Sequence, residues 1–443
     1  MPSVTVLVPI YNVESYLRQC LDSLKTQTLQ DVEFLCIDDG STDASGKIAD
    51  AYAAEDARFR VIHKANEGYG KTMNRGLAEA RGEYIGIVES DDFADAVMFE
   101  KLHAAICSTG ADVVKSNFYQ YDEARGSVPT DLLAGCPYHE MCSAVTVPKL
   151  LQTDLFIWTS LYRKSFLEAK GICFRETPGA AYQDVGFSQK VTASCQKMYL
   201  LPDHFLHYRI DNAGSSVHSI GKKAYCYNDE FMSYWVFLRQ RSIEERTAGA
   251  AAAPNMFRIY RQGVWPYVAS QERYRYLRRA WEDFHQLQEE GFLIESFWKA
   301  EDWIALMKFL QHREERITTI CAEKQRGQFL REGLLTFLRS AETVYLYGAG
   351  CVAEQMLKIL QKEAISIKSI LVGDPRKNPK CVHSISVHGY AEVSKEAKDA
   401  VVLLALTPRK MNVQQEVFKN LQETGYRNVI VLTEELRQAL AGA

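Results

Sequence analysis

Short apolar runs alternate with amphipathic stretches through the first 120 residues of the chain. The runs predict buried strands, and the amphipathic stretches carry apolar residues at the spacing of helices. Strands that alternate with helices of about ten to fifteen residues predict a parallel, doubly wound α/β sheet. The predicted strands are Val4–Val8, Val32–Ile37, Phe59–His63, Tyr84–Val88 and Asp112–Phe118.

Polar or acidic residues follow four consecutive predicted strands, and a purely structural sheet has no reason to repeat this pattern. Ligands of doubly wound sheets bind beyond the carboxyl ends of the strands, so these segments indicate a binding site. The four segments are Pro9–Asn12, Asp38–Asp39, Asn66–Lys71 and Glu89–Asp92.

The acids Glu89, Asp91 and Asp92 come directly after a predicted buried strand. Carboxylates this close repel each other and raise each other's pKa, which favours a divalent cation such as Mg²⁺ or Mn²⁺. The alternative is a solvated loop whose aspartates cap a helix predicted over Ala94–Cys107. The polar ends of the neighbouring strands favour the cation.

Composition narrows the class of protein. The chain has 443 residues, 47% of them hydrophobic and 24% charged, which predicts a globular protein of two or three domains. A net charge of −4 gives no reason to expect a nucleic acid as partner. No basic and then apolar leader and no spanning apolar run is visible, and the eleven cysteines are scattered, so we expect a reduced, cytoplasmic protein.

Two segments resemble the family 2 inverting glycosyltransferases with the GT-A fold. They are VTVLVPIYNVESYLRQCLDSLKTQTLQDVEFLCIDDGSTDAS and, further on, NEGYGKTMNRGLAEARGEYIGIVESDDF. The likeness is close over about the first 120 residues and weak to about residue 220. It implies transfer of a sugar from a nucleotide diphosphate donor, usually UDP-linked, to a hydroxyl of a glycan or lipid-linked acceptor. A role in bacterial surface polysaccharide synthesis follows, in the cytoplasm or at the inner face of the membrane.

The same resemblance implies a set of site residues. Asp39 or its neighbour Asp38 accepts a hydrogen bond from the base, and the Glu89–Asp92 segment stands where the family has its Asp-x-Asp motif. Asp91 or Asp92 then ligates Mn²⁺ or Mg²⁺. The implied residues that bind the nucleotide sugar are Pro9, Tyr11, Glu14, Asp38, Asp39, Asn66, Gly68, Lys71, Glu89, Ser90, Asp91 and Arg209.

The chain departs from the family pattern at the donor side. Glu89 replaces the first Asp of the motif, and Met73 stands where the family commonly has Arg. Lys71 is the nearby cation that would supply the missing charge, and a solvated lysine is the alternative reading.

Inverting transfer needs a base that takes the proton of the acceptor hydroxyl. The resemblance assigns this role to Asp184, which is also placed to cap a helix. Gln183 replaces the usual Glu and is expected at the acceptor. Trp158 either stacks on a sugar ring or belongs to the core. Arg209 or His218 meets the diphosphate, although Arg209 could equally form a surface ion pair.

Residues 221–335 lose the strand pattern, which divides the chain into a GT-A domain (1–220), a helical region (221–335) and a Rossmann-like domain (336–443). Ala248–Ala253 is a linker or a break between helices. Residues 256–280 combine six arginines with six aromatic residues, so this stretch either touches an anionic membrane surface or is an ordinary helical face. The helical region could also supply a homodimer surface.

The last hundred residues show a second strand–turn–helix unit. Val344–Tyr347 is followed by a Gly-x-Gly-x-x-Ala turn that begins at Gly348 and Gly350, and Asp374 comes after the next strand. This arrangement is typical of Rossmann sites and weakly resembles domains attached to bacterial sugar-modifying enzymes. No Tyr-x-x-x-Lys motif accompanies it, so we expect a binding or assembly role, with a ligand-free structural domain as the alternative.

Two rival functions stay open at this point. The departures at Glu89, Met73 and Gln183 allow a non-catalytic scaffold that binds nucleotide sugars. The C-terminal turn allows an NAD-linked activity that modifies sugars.

Overall fold

The computed structural model describes residues 2–153, 156–180, 182–212, 224–264, 268, 272–311, 313–393, 400–406 and 411–441. The chain divides into two compact units, residues 1–313 and 314–443. Each unit contains one β-sheet. The three-part organisation with boundaries near residues 220 and 335 stays a prediction.

Ten strands form the sheet of the first unit. They are β1 (Val4–Ile10), β2 (Val32–Asp38), β3 (Phe59–His63), β4 (Tyr84–Ile87), β5 (Phe93–Ala94), β6 (Val113–Asp122), β7 (Gly126–Thr130), β8 (Met141–Cys142), β9 (Ser160–Arg163) and β10 (Met198–Arg209). The order is β3-β2-β1-β4-β9-β6-β10-β5, with β7 beside β6 and β8 beside β10. Strands β1 to β4 run parallel, and β9 runs antiparallel to both β4 and β6. The predicted α/β class is thereby confirmed.

The parallel strands carry the apolar core of this unit. All seven residues of β1 and all seven of β2 are buried, as expected for strands that are covered on both faces. The carboxyl ends of β1, β2, β3 and β4 lie along one edge of the sheet. The loops that follow these ends are the polar segments singled out in the sequence.

Six helices belong to the part of the chain that forms this sheet. They are α1 (Glu14–Lys25), α2 (Ser45–Glu55), α3 (Tyr69–Glu79), α4 (Met98–Thr109), α5 (Lys164–Lys170) and α6 (Gln183–Ser194). The helix expected over Ala94–Cys107 begins only at Met98, because Phe93 and Ala94 pair with β10 as a short strand.

In the described part of the first unit, five α-helices follow β10, and α7 packs against α6. They are α7 (Ala224–Arg239), α8 (Ile243–Gly249), α9 (Ala253–Arg258), α10 (Arg273–Glu289) and α11 (Ala300–Leu310). The linker interpretation of Ala248–Ala253 is wrong, because Ala250–Ala252 form a buried 3₁₀ turn between α8 and α9. A break between two helices is what the structure has.

The arginine-rich stretch buries much of its aromatic content. Phe257, Tyr260 and Tyr276 are buried, whereas Tyr274 is 39% exposed. The buried rings pack against other aromatic residues of these helices, which favours an ordinary helical face. Membrane contact stays a prediction. Among the described residues, no helix has both the length and the apolar character needed to cross a membrane.

The second unit is a smaller α/β sheet. Its strands are β11 (Val344–Tyr347), β12 (Ser369–Val372), β13 (Cys381–Val382), β14 (Ile385–Gly389), β15 (Val401–Leu404) and β16 (Asn428–Val431). Its helices are α12 (Arg313–Ser340), α13 (Cys351–Lys362), α14 (Tyr390–Val393), α15 (Met411–Glu423) and α16 (Glu434–Ala441). The order β14-β12-β11-β15-β16 is parallel throughout, which is the strand order of dinucleotide-binding sheets.

Candidate active site

Four carboxyl groups from two distant parts of the sequence gather at the carboxyl edge of the first sheet. Burial raises the pKa of Glu89 to about 8, and the charges of Asp91 and Asp184 act in the same direction. Burial also raises the pKa of Asp92 well above its usual range, with Asp91 and Glu89 adding to the shift. The candidate base is therefore close enough to the acidic segment to change its protonation.

A tight turn presents the acidic segment beyond β4. The backbone N–H of Val88 donates to the carbonyl of Leu7 at 3.0 Å, which keeps the chain parallel to β1 up to the turn. The N–H of Asp92 then donates to the carbonyl of Glu89 at 3.0 Å and closes the turn. Ser90 is buried within it.

The end of β10 fixes the side chain of Asp92. Its Oδ1 accepts the backbone N–H of Arg209 at 2.8 Å, and its buried Oδ2 has no hydrogen-bond donor among the described residues. The Arg209 guanidinium lies 4.8 Å from the ring centres of both Tyr16 and Tyr121, and its Nε donates to the carbonyl of Asp91 at 3.1 Å.

This placement contradicts one interpretation of Arg209. Its side chain is 2% exposed, so it is no surface ion pair. The remaining nitrogens donate to Gln19 and to Asp211, and Arg209 thereby supports the backbone of the acidic turn. Contact of Arg209 with a diphosphate stays a prediction. His218, the other cation considered for that role, lies outside the described residues.

Asp91 is the more accessible of the two candidate metal ligands. It is half-buried, and its Oδ2 accepts a 2.8 Å hydrogen bond from Asn212. Within the described part of the chain, no three His, Cys, Asp or Glu residues are arranged to hold a metal on their own. Magnesium and manganese sites of nucleotide enzymes commonly use one or two carboxylates and complete their shell with water and phosphate oxygens. The carboxylates of this segment repel each other, and the buried Oδ2 of Asp92 has no hydrogen-bond donor among the described residues. Both features fit such an ion.

Asp39 ties together the loop that follows β3. Its Oδ1 accepts the N–H of Glu67 at 2.9 Å and also a hydrogen bond from Lys64, while Oδ2 accepts the N–H of Gly68 at 3.0 Å. A carboxylate offers about four acceptor positions, so one position is left for a base. Lys64 was not singled out in the sequence, although a lysine directly after a strand at this edge is the signal that would have found it.

Asp38 has a different set of partners. Its Oδ1 accepts the N–H of Ser41 at 2.9 Å, and its Oδ2 lies 2.9 Å from Nδ1 of His63. Nε2 of the same ring lies 3.0 Å from Oδ1 of Asp50 on α2. Hydrogen bonds to Asp38 and Asp50 raise the pKa of His63.

The loops after β1 and β2 are bound to each other. Oε2 of Glu14 accepts the N–H of Ala44 at 2.7 Å, and the N–H of Glu14 donates to Asp43 at 3.1 Å. Glu14 thus holds the loop that follows β2, and any contact with a nucleotide stays a prediction. Pro9 is buried at the end of β1, whereas Tyr11 is 52% exposed and presents its ring at the edge of the sheet.

The glycine loop packs against the backbone of residues 175–179. Gly68 has a φ of +92°, and a methyl group on it would lie 2.8 Å from the N of Gly179. A methyl group on Gly70 would lie 2.0 Å from the carbonyl oxygen of Arg175. Both glycines are therefore required for this close approach of two backbones.

The remaining residues of the glycine loop lie at the surface. Asn66 is exposed, and Lys71 is exposed with its Nζ 3.4 Å from Glu67, which agrees with a solvated lysine. Met73 is fully buried in the core of the unit. The side chain that replaces the family's arginine is therefore part of the packing.

Asp184 lies in the first turn of α6, beside the acidic segment. Burial raises its pKa, while the backbone N–H of Val185 partly opposes the shift. Tyr182, just before the helix, has a φ of +64°, which is unusual for a residue with a side chain. Backbone strain of this kind is typical of functional sites.

Gln183 and Trp158 have protein partners where contacts with the acceptor were expected. Gln183 is 1% exposed, and its amide donates to Oγ1 of Thr177 at 2.8 Å and to the carbonyl of Gly179 at 3.1 Å. Trp158 is 3% exposed and stacks on Phe156 at 4.6 Å, which favours the core interpretation. Gln183 holds the loop that covers the glycine segment.

The C-terminal turn has the backbone of a Rossmann site. Gly348 has a φ of +113°, and a methyl group on it would lie 2.8 Å from the carbonyl oxygen of Ala405. Gly350 precedes α13 and faces open space. Asp374 follows β12, but its Oδ1 accepts the backbone N–H and the Nε of Arg376. Ligand binding at this turn stays a prediction.

Comparisons with solved structures identify the fold of the first unit. Two structures of S. aureus TarS residues 1–349, one with UDP and one with UDP-GlcNAc, share 22% and 20% identity and superimpose with TM-scores of 0.55 and 0.58. Both cover 74% of this chain, and they cover 92% and 93% of TarS 1–349. The first unit therefore has the GT-A glycosyltransferase fold.

Part of the chain also matches a family model and two curated relatives. Residues 5–167 match the model described as Glycosyl transferase family 2. The chain is 35% identical over 212 residues to "Uncharacterized glycosyltransferase EpsJ" of Bacillus subtilis, and 33% identical over 215 residues to "Glycosyltransferase GlyA" of Streptococcus pneumoniae. Each alignment covers 47% of this chain, but only 61% of EpsJ and 30% of GlyA. Residues 5–167 are therefore similar to glycosyl transferase family 2, and the chain spans less than two thirds of the length of these relatives.

Proposed function

We propose that this protein is a metal-dependent inverting glycosyltransferase that uses a UDP-linked sugar. The observation that carries the proposal is the convergence of Asp184 with Glu89, Asp91 and Asp92 at the carboxyl edge of a family 2 domain. A scaffold that only binds a nucleotide sugar has no need of a carboxylate opposite the acidic segment. Titles of the TarS structures name UDP and UDP-GlcNAc, which supports a UDP donor here.

In the proposed reaction, Asp184 takes the proton of the acceptor hydroxyl. The hydroxyl oxygen forms a bond to the anomeric carbon, and the bond from that carbon to the β-phosphate oxygen breaks. UDP leaves with the bonding electron pair, and the configuration at the anomeric carbon inverts. Burial raises the pKa of Asp184, which makes it a stronger base than an exposed aspartate.

The acidic segment would hold the diphosphate through a divalent cation. Bound Mn²⁺ or Mg²⁺ stabilises the negative charge that develops on the leaving diphosphate. Asp91 is the direct ligand in this proposal because it is half-exposed, whereas Asp92 anchors the turn through the N–H of Arg209. The Glu89–Asp92 segment stands at the position implied to contact the ribose and hold the metal, and Asp39 or Asp38 at the position implied to contact the base.

The acceptor side is less defined by the described residues. We propose a glycan or lipid-linked hydroxyl acceptor and a role in bacterial surface polysaccharide synthesis, on the basis of the family resemblance. Trp158 and Gln183 are buried, so we expect other groups near Tyr182 and Asp184 to contribute to recognition of the acceptor.

The experiment that tests the proposal is a thermal shift assay with nucleotides, with and without Mn²⁺. Ligand at a hundredfold excess over its dissociation constant stabilises the folded state by about 2.7 kcal/mol, which is readily measured. We expect stabilisation by UDP or one UDP-sugar that is lost with EDTA. Transfer is then measured with that donor and a panel of glycan and lipid-linked acceptors.

Three results would contradict the proposal. No response to any nucleotide in the presence of metal would support a non-catalytic scaffold. A response to NAD(H) alone would place the activity at the turn that contains Gly348 and Gly350. Binding of the donor without transfer to any acceptor would leave a nucleotide-sugar-binding protein.

A further inference from the structure

Glu230 on α7 carries a buried carboxyl group that the proposed reaction does not use. It is 1% exposed, and neither Oε1 nor Oε2 accepts a hydrogen bond from any residue in the described part of the chain. A buried polar group without donors costs free energy, and most buried groups of native proteins avoid this cost. An acid kept in such a place indicates a requirement other than stability.

The contacts of Glu230 connect it to the helix that carries the candidate base. A methyl group on Gly186 would lie 2.4 Å from its Oε2, so the carboxyl group presses on the first turn of α6. Asp184 lies two residues earlier in the same turn. On its other side, Oε1 of Glu230 is 3.8 Å from Nη1 of Arg175.

Arg175 begins the loop that meets the donor side. Its carbonyl oxygen limits residue 70 to glycine, and the N of Gly179 limits residue 68. Gln183, in the first turn of α6, donates to the carbonyl of Gly179. Glu230 therefore touches both the helix that carries the candidate base and the start of the loop that covers the glycine segment.

The charges around Glu230 come from three elements. Arg175 in the loop and Lys190 on α6 favour the ionised form, whereas Asp184 on α6 and Asp229 on α7 oppose it. Burial has the largest effect and raises the pKa of Glu230 to about 8. Its protonation therefore changes slightly above neutral pH.

We propose that Glu230 is a positioning residue for sugar transfer, which fixes the first turn of α6, and with it Asp184, against the loop that begins at Arg175. The inference rests on the proposed function because it takes Asp184 as the base. In this proposal a residue of α7 helps to position the catalytic base. A shift of the base by about 1 Å is enough to lower a rate by about a hundredfold.

Two variants separate the shape of Glu230 from its charge. Glu230→Ala removes the contact with Gly186, and we expect kcat to fall by about tenfold to a hundredfold with the donor KM unchanged within about twofold. Glu230→Gln keeps the shape of the protonated acid. Because it keeps the contact with Gly186, it should match the native kcat near pH 7.

Hydrogen–deuterium exchange of residues 183–187 provides a readout that needs no activity. We expect faster exchange in Glu230→Ala. The matched control is Asp283→Asn, which alters a buried carboxylate of α10 that accepts hydrogen bonds from Arg279, Tyr260 and Asn228. It should lower the melting temperature and leave kcat and the exchange of residues 183–187 as in the native protein.

The outcomes distinguish this inference from the proposed function. Native kcat together with native exchange in Glu230→Ala would overturn the positioning role, and so would an equal loss of kcat in Asp283→Asn. If the native protein transfers no sugar, the proposed function fails. Exchange of residues 183–187 in Glu230→Ala still decides whether Glu230 holds the first turn of α6.

Discussion

The hydroxyl of Tyr69 donates a 2.6 Å hydrogen bond to Oε1 of Glu89, which joins the start of α3 to the acidic segment after β4. Burial and the negative charges of Glu89 and Asp184 raise the pKa of Tyr69 well above its usual range, so the phenol remains a donor. The ring of Tyr69 is also fixed by an edge contact with Phe174 at 5.9 Å. Tyr69 therefore sets the direction of the Glu89 carboxyl group.

Tyr69→Phe tests this relationship. Loss of a partner that orients a metal-binding carboxyl group typically lowers metal affinity by about tenfold to a hundredfold, so we expect metal-dependent UDP affinity to fall by about tenfold or more. Isothermal titration with Mn²⁺ measures it. Tyr162→Phe is the matched control, because its hydroxyl donates at 2.7 Å to the carbonyl of Ile157 in the core. Equal loss of UDP affinity in both variants would show a general packing effect.

Asp184→Asn should remove transfer and leave the donor site intact. An amide cannot take the acceptor proton, and loss of a general base typically lowers kcat by about a hundredfold to ten-thousandfold. UDP binding by calorimetry should remain within about twofold of the native protein, because Asp184 is not a ligand in the proposed site. Unchanged turnover would exclude Asp184 as the base. Asp211→Asn, at an exposed carboxylate beside Arg209, controls for a loss of nearby charge.

Asp91→Asn and Asp92→Asn should differ in kind. Asp91→Asn is expected to abolish the part of UDP affinity that depends on Mn²⁺ and to leave the melting temperature of the ligand-free protein unchanged. Asp92→Asn places a buried amide NH₂ where the Oδ2 of Asp92 has no partner among the described residues, so it should lower the melting temperature even without nucleotide. Titration of each variant with UDP, in Mn²⁺ and in EDTA, measures the first effect. Native Mn²⁺-dependent affinity in Asp91→Asn would show that Asp91 is not the metal ligand.

Much of the fold could be predicted because its signals are local. The apolar runs at Val32–Ile37 and Val344–Tyr347 match strands to within one residue. The antiparallel strand β9 was missed because its register depends on its contacts with β4 and β6, which are distant from it in sequence. The helix after the acidic segment was placed four residues early for the same reason, since Phe93 pairs with His207 of β10.

The site could be predicted in part. Residues next to strand ends, such as Asp39 and Asp91, were identifiable because parallel strands bring their carboxyl ends to one edge. The burial of Arg209 could not be predicted because nothing in its sequence neighbourhood reveals the rings of Tyr16 and Tyr121 beside it. Glu230 was missed because it lies in a helical stretch without a motif, and only the packing of α7 on α6 brings it beside Asp184.

The difference in stability between Glu230→Gln and the native protein should depend on pH, and the raised pKa of Glu230 fixes the direction of that dependence. The folded protein holds this proton up to about pH 8, whereas an unfolded glutamic acid loses it near its ordinary pKa, about 4.3. Between these values the folded state binds more protons, so the contribution of Glu230 to stability falls as pH rises. Each unit of the shift corresponds to about 1.4 kcal/mol.

Glu230→Gln removes this penalty, so it should melt at a higher temperature than the native protein above about pH 8, with the difference shrinking towards about pH 5. Glu245 on α8 is a matched control of opposite sign. Burial alone would raise the pKa of Glu245, but its hydrogen bond with Lys170 at 2.7 Å holds it below the usual value. Glu245→Gln should therefore lose stability at neutral pH, and the loss should disappear as pH falls through the pKa of Glu245. Melting curves of the three proteins between about pH 3 and pH 9 measure both effects. A lower melting temperature for Glu230→Gln above pH 8 would show that the ionised Glu230 is stabilised by Arg175 and Lys190 more than burial destabilises it.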